Sequence, residues 1–271
     1  MVQVMAAVCR QYVSLTCYNS PYPAHDRGRA VDLYPARGVP SPVAGEVVGH
    51  RRVRAPSRPH AEAHDHLLVV DTGDHLARLL HVEPSVALGD AIAVGDDLGR
   101  LVRSGYFAPW VDDHLHLGFR PPGADPVRAT GSLPIELDID PLAVAWDGVG
   151  TVVEVGETHV VLDAPAHPAP GERFAGLASD GGPVLDGGLP HYAGAGIAGG
   201  GDGPVSLLGR VVGEASGGHV AWADVEVRAD GRPVTGLSLG LRRDRLGAKL
   251  VSWDGPPAEL GAAVEVSVAP A

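Results

Sequence analysis

The sequence predicts an all-β chain, a β-sandwich or barrel domain followed by a second small β domain. Three observations predict it. Glycine (37 residues) and proline (24) punctuate the chain at short intervals, which is the spacing of strands and turns rather than of long helices. The apolar residues are mostly alanine, valine and leucine, in short runs bounded by turn formers. Gly-Asp pairs recur between such runs, at Gly89-Asp90 and Gly95-Asp96, as tight turns of a compact β fold require. A chain of 271 residues can bury a core in each of two domains.

Taken in order, residues 1–20 alternate loosely and read as a strand or two. Residues 24–35 and 38–49 read as two short β segments pinned by glycine and proline. Residues 51–65, rich in histidine, arginine and proline, read as a polar loop. His66-Leu67-Leu68-Val69-Val70-Asp71 has the pattern of a buried strand, and Asp71-Thr72-Gly73-Asp74 has the chemistry of a hairpin turn. Residues 75–81 return as a strand that delivers His81 at its end. Residues 103–111 form a loop whose Tyr106, Phe107 and Trp110 either wall a substrate groove or shield a core edge. Residues 121–145 are a proline-containing connection, which divides domain 1–125 from domain 146–271. Residues 148–163 read as a hairpin and residues 164–206 as long irregular loops. Residues 207–228 and 233–241 are alternating strands joined by the turn Ala229-Asp230-Gly231-Arg232, and residues 247–253 and 262–269 are further strands.

Charge and cysteine content exclude several classes. The formal net charge is −12, and only Lys249 among the 21 basic residues is a lysine. Nothing resembles a basic run able to neutralise phosphates, so no nucleic-acid partner is expected. No apolar run approaches a membrane span, so no membrane partner is expected either. The N-terminal residues lack a basic segment followed by an apolar one, so a secretion signal is not read and a cytoplasmic location is expected. Cys9 and Cys17 fit no zinc pattern. On one extended strand they would lie ~26 Å apart, too far to bond, so both are read as small buried residues.

The chemistry concentrates in the first half. Asp112-Asp113-His114-Leu115-His116-Leu117-Gly118-Phe119 reads as the start of a strand, where His114 and His116 share one face and Leu115 and Leu117 the other. His25 and Asp32 flank a glycine-bearing turn. Three nitrogen or oxygen ligands with a fourth position open is the arrangement of a catalytic zinc, which lowers the pKa of a bound water towards ~7. His64-Asp65-His66 is a rival pair at a loop-to-strand junction. Asp112 and Asp113 are candidate acceptors that would orient an imidazole.

These residues, in this order, resemble the lysostaphin/LytM-type zinc endopeptidases, over residues 25–119. The matching steps are His25…Asp32, then Gly38-Val39-Pro40…Gly45-Glu46-Val47, then Leu79-Leu80-His81. Val86-Ala87-Leu88-Gly89-Asp90…Gly95-Asp96-Asp97-Leu98-Gly99 follows, and His114-Leu115-His116 closes the series. The stretch His25–Asp32 is itself similar to the His-x-x-Gly-x-Ala-x-Asp motif of D-alanyl-D-alanine dipeptidases, which also place zinc between such a His and Asp. The resemblance implies the duplicated hybrid β fold for the first domain. It implies Zn2+ as cofactor, held by His25, Asp32 and His116, with His81 and His114 as catalytic residues flanking the attacking water and the oxyanion. It implies a zinc-dependent metallopeptidase acting on a peptide or cell-wall-like peptide. The alternative is a non-catalytic binding or scaffold protein with a retained metal site. No chemistry is read in residues 146–271.

Overall fold

In the computed structural model, which describes residues 1–128 and 130–271, the short apolar runs are strands. The one helix among the described residues is a single turn, Ala6–Cys9. The chain divides into two compact units, Met1–Leu15 with Gly28–Ile139 and Thr16–Arg27 with Asp140–Ala271.

The first unit holds β1 (Val2–Val4), β2 (Tyr12–Thr16, whose last residue belongs to the second unit), β3 (Ala30–Pro35), β4 (Gly45–Arg54), β5 (His64–Asp71) and β6 (Leu76–Leu80). It continues with β7 (Val82–Pro84), β8 (Ala91–Ile92), β9 (Gly99–Leu101), β10 (Leu115–Arg120) and β11 (Ile135–Leu137). Strands β2-β3-β10-β6-β5-β4-β8 are neighbours in that order, and from β3 to β8 each pair is antiparallel. β7 pairs with β9, and β1 runs parallel to β11. Val31, Leu33, Leu68, Val70, Leu79, Leu115 and Leu117 are buried in it.

The β5–β6 turn forms at the expected residues. The Asp71 carboxylate accepts from the Gly73 N–H, and the Thr72 hydroxyl bridges the His75 backbone. Gly73 has φ +88°, which a side chain would resist. The Gly-Asp echo is likewise real: Asp90 and Asp96 each accept from the backbone N–H three residues earlier, Ala87 and Ala93, at 2.8 Å.

Two expectations in this unit are corrected. The polar stretch 51–65 is strand at both ends, in β4 as far as Arg54 and in β5 from His64, and loop only over 55–63. Arg52 pairs with His66 and Arg54 with His64, so the charged side chains are solvated while the backbone is laddered. Cys9, in the helical turn, and Cys17 are both buried free thiols, as expected, with Cys9 pushed up to about 11 by burial. The connection 121–145 is not bare, because β11 within it finds a partner in β1.

The second unit holds β12 (Leu142–Val144), β13 (Val149–Val155), β14 (His159–Leu162), β15 (Ala175–Leu177), β16 (Leu185–Leu189), β17 (Gly194–Ile197), β18 (Gly203–Leu207) and β19 (Arg210–Ser216). β20 (His219–Trp222), β21 (Val225–Ala229), β22 (Arg232–Val234), β23 (Gly236–Leu239), β24 (Leu241–Arg242), β25 (Lys249–Val251) and β26 (Ala263–Pro270) complete it. Twelve of these form one sheet, ordered β18-β19-β20-β17-β16-β23-β25-β14-β13-β26-β21-β22. Val152, Leu162, Leu185, Leu237, Leu250 and Val264 belong to its core. The turn between β21 and β22 puts Asp230 (φ +49°) and Gly231 (φ +76°) in the left-handed region, as a tight hairpin demands.

Two expectations change here as well. Residues 164–206 are not loop throughout: four strands, β15 to β18, run through them. The glycines of β15 to β17 lie where a side chain would be crowded. A Cβ on Gly196 would lie 2.1 Å from the Tyr18 ring, and one on Gly188 2.5 Å from that of Tyr192. Residues 16–27, expected in the first domain, cluster with the second unit. The reason is a buried carboxylate: Asp186 on β16 accepts from the Thr16 hydroxyl and, at 2.6 Å, from the Cys17 N–H. The Asn19 amide adds bonds to the Ser238 hydroxyl at 2.7 Å and the Leu239 carbonyl at 3.1 Å.

Candidate metal centre

The antiparallel register of β3 and β10 sets Leu33 against Leu115 and Asp32 against His116. Directly opposed residues project to the same face. Asp32 Oδ1 and His116 Nδ1 are 2.9 Å apart. On its other flank His116 opposes Leu80, the residue before His81. The alternate residues Leu115 and Leu117 are fully buried on the far face, as the His-x-His pattern predicts.

His114, two residues before His116, projects to the same side. Its Nδ1 donates to the Asp112 carbonyl at 2.9 Å, and its Nε2 is 3.4 Å from Asp32 Oδ2. The expected acceptor at Asp112 is therefore its backbone oxygen. Asp113 instead forms an ion pair with Arg103 at 3.2 Å.

His25 is buried in the segment between β2 and β3. Its Nδ1 donates to the Cys17 carbonyl at 2.9 Å. That bond fixes the tautomer and keeps a lone pair on Nε2. His25 belongs to the second unit, whereas Asp32 and His116, with facing donor atoms, belong to the first. The residue types expected as ligands, two imidazoles and a carboxylate, are ones that zinc takes, and the His25 imidazole is pinned by a backbone carbonyl as ligating histidines usually are. Three donors leave a coordination position open.

His81 follows β6 with φ +68°, a left-handed conformation uncommon outside glycine. Its ring centroid is 5.3 Å from that of His114 and 6.0 Å from that of His116. Phe107 stacks on His114 at 4.3 Å and meets His81 edge-on at 4.7 Å, and Tyr34 lies 5.0 Å from His114. The aromatic loop thus divides: Phe107 packs on the histidines, Trp110 is buried and Tyr106 is partly exposed. Of the five residues expected at the site, Asp32, His81, His114 and His116 cluster in the first unit, and His25 lies in the segment that belongs to the second.

The rival pair does not join them. His66 Nδ1 is 2.9 Å from His50 Nε2, and Arg52 donates to His64 at 3.0 Å. Burial and the neighbouring His50 lower the pKa of His66. The residue between them matters more. Asp65 is fully buried and its Oδ2 accepts from His81 Nδ1 and from the Ser104 hydroxyl, both at 2.6 Å. Burial alone would raise the Asp65 pKa, but bonds from His81, Ser104 and the His66 N–H together hold it below the usual value. Neither Asp65 nor Ser104 was legible as a site residue. The one signal was a charged side chain at the head of the otherwise apolar run 67–70.

Residues 3–137 match the family model described as "Domain of unknown function (DUF8155) N-terminal domain", and residues 142–269 match that of its C-terminal domain. The two models between them span nearly the whole chain, which belongs to that family. No curated protein matches. Among solved structures, the chain is similar to the catalytic domain of the antimicrobial peptidase lysostaphin from Staphylococcus simulans. That match has 19% identity and a TM-score of 0.30, and covers 48% of this chain and 92% of that one. A solution structure of lysostaphin matches at 13% identity with a TM-score of 0.27, covering 86% of this chain and 89% of that one. At these TM-scores neither likeness bears on the assignment of the site.

Proposed function

We propose that this member of the DUF8155 family is a zinc-dependent metallopeptidase that hydrolyses a peptide bond. The observation that carries the proposal is the facing pair Asp32 and His116 beside two further imidazoles, His81 and His114. The order of motifs along residues 25–119, which resembles the lysostaphin/LytM-type endopeptidases, supports it. Zinc held by the three donors would supply Lewis acidity to a carbonyl and to water.

The chain's own residues do the rest. Asp32 contributes negative charge between His116 and His114. The Cys17 carbonyl orients His25, and the Asp112 carbonyl orients His114, so each presents Nε2. None of the five residues expected at the site is a glutamate, so the proton is handled by histidine. As water oxygen bonds to the carbonyl carbon, its proton passes to an imidazole. As the C–N bond breaks, that proton passes to the leaving nitrogen. A protonated imidazole donating from the other side stabilises the oxyanion. His81 and His114 fill these two roles. The substrate class is a peptide with small residues at the scissile bond, such as a cell-wall-like peptide. The test is zinc content together with hydrolysis of short alanine- and glycine-containing peptides. A zinc-loaded protein that cleaves none of them while binding them favours the binding-protein alternative.

A further inference from the structure

The imidazole of His81 is held from behind. Asp65 Oδ2 takes its Nδ1–H at 2.6 Å, so Nε2 is the nitrogen left for chemistry. The carboxylate is itself fixed on three sides: Ser104 donates to Oδ2 at 2.6 Å and the His66 N–H to Oδ1 at 2.7 Å. The backbone of His81 is pinned in its left-handed conformation by a bond from its N–H to the His66 carbonyl at 3.2 Å and one from the Val102 N–H to its own carbonyl at 2.8 Å. Non-glycine residues hold such a conformation only where their surroundings over-determine it, and such residues cluster at functional sites.

We propose that Asp65, supported by Ser104, is the positioning residue that keeps His81 in its Nδ1–H tautomer and makes Nε2 the proton acceptor of the site. The role as acceptor rests on the peptidase reading above, whereas the tautomer does not. Asp65 acts through His81 and touches no substrate.

The geometry makes a sharp prediction for Asp65→Asn. The His66 N–H can only donate, so the amide must turn its oxygen to that side. Its NH2 then faces His81 Nδ1 and Ser104. Nδ1 becomes an acceptor, and the His81 proton moves to Nε2, the wrong tautomer for a base. A tautomer inversion of this kind costs roughly 10⁴ in kcat in a serine-protease triad.

The experiment is 15N NMR of histidine-labelled, zinc-loaded protein at pH 8, with the His81 signals assigned by their loss in His81→Gln. Wild type should show protonated Nδ1 and bare Nε2. Asp65→Asn should show the reverse while keeping its zinc, and Ser104→Ala should keep the wild-type tautomer. A wild-type His81 with a proton on Nε2 overturns the proposal, and this readout needs no variant to fold. An Asp65→Asn protein that retains Nδ1–H overturns it too. Kinetics separate the two claims: Asp65→Asn should lower kcat roughly 10²–10⁴-fold with KM little changed. A wild type with the expected tautomer but no hydrolysis of any tested peptide would defeat the peptidase reading and leave the assignment of Asp65 standing.

Discussion

Asp32 and His116 face each other across neighbouring antiparallel strands, Oδ1 to Nδ1 at 2.9 Å. Residues far apart in sequence are thereby joined by register alone, since a slip of one residue would send one of them to the opposite face. The apolar alternation of Val31, Leu33, Leu115 and Leu117 locks that register. The Asp32–His116 pairing is accordingly a consequence of core packing.

Phe107 is the packing partner of His81 and His114. Phe107→Ala should lower stability by about 3–5 kcal/mol, as other buried aromatic truncations do. Turnover should fall while zinc stays bound. Phe107→Leu should recover most of the stability. Denaturant unfolding alongside peptide hydrolysis checks this, and an Ala variant with wild-type stability would show that the ring packs less tightly than the 4.3 and 4.7 Å contacts indicate.

Gly196 lies where a methyl group would collide with Tyr18, with three ring atoms within 2.7 Å of the added Cβ. Gly196→Ala should cost about 1–3 kcal/mol through overpacking. Gly181→Ala, whose Cβ would meet nothing closer than 3.9 Å, is the control and should be near neutral. Equal unfolding midpoints for the two variants would contradict the close approach.

The same glycines explain what the sequence could not disclose. The all-β class, the hairpin at 71–74 and the His-x-His face were legible because turn chemistry and two-residue alternation are local signals. The strands within residues 164–206 were missed because glycine there serves the close approach of Tyr18 and Tyr192, which no local pattern encodes. His25, Asp32 and His116 were singled out by motif order. Asp65 was passed over because its partners, His81 and Ser104, come from two later segments. Residues 16–27 were assigned to the wrong unit because Asp186, which holds them, lies far along the chain.

Asp186 should give the protein a specific pH signature. Burial pushes its carboxyl up to about 6, against the pull of bonds from Thr16 and Cys17 and the nearby His25. An unfolded aspartate titrates near about 3.9. Between those values the folded form keeps a proton that the unfolded form releases, so this contribution to stability is lost as pH rises from about 4 to 6. The two-unit gap corresponds to roughly 3 kcal/mol. Asp186→Asn should remove that slope, because the amide is neutral throughout and still offers an acceptor. Urea unfolding of both proteins at several pH values between 4 and 7 measures the difference. Parallel stability curves would contradict the assignment.

The most direct measurement is the zinc content of the wild type and five alanine variants by native mass spectrometry. Removing one of three ligands leaves two protein donors, so His25→Ala, Asp32→Ala and His116→Ala should lose the metal. His81→Ala and His114→Ala should keep it and lose turnover by roughly 10²–10⁴-fold. A wild type that takes up no zinc, or a His114→Ala that loses it while His25→Ala or Asp32→Ala retains it, would contradict the account.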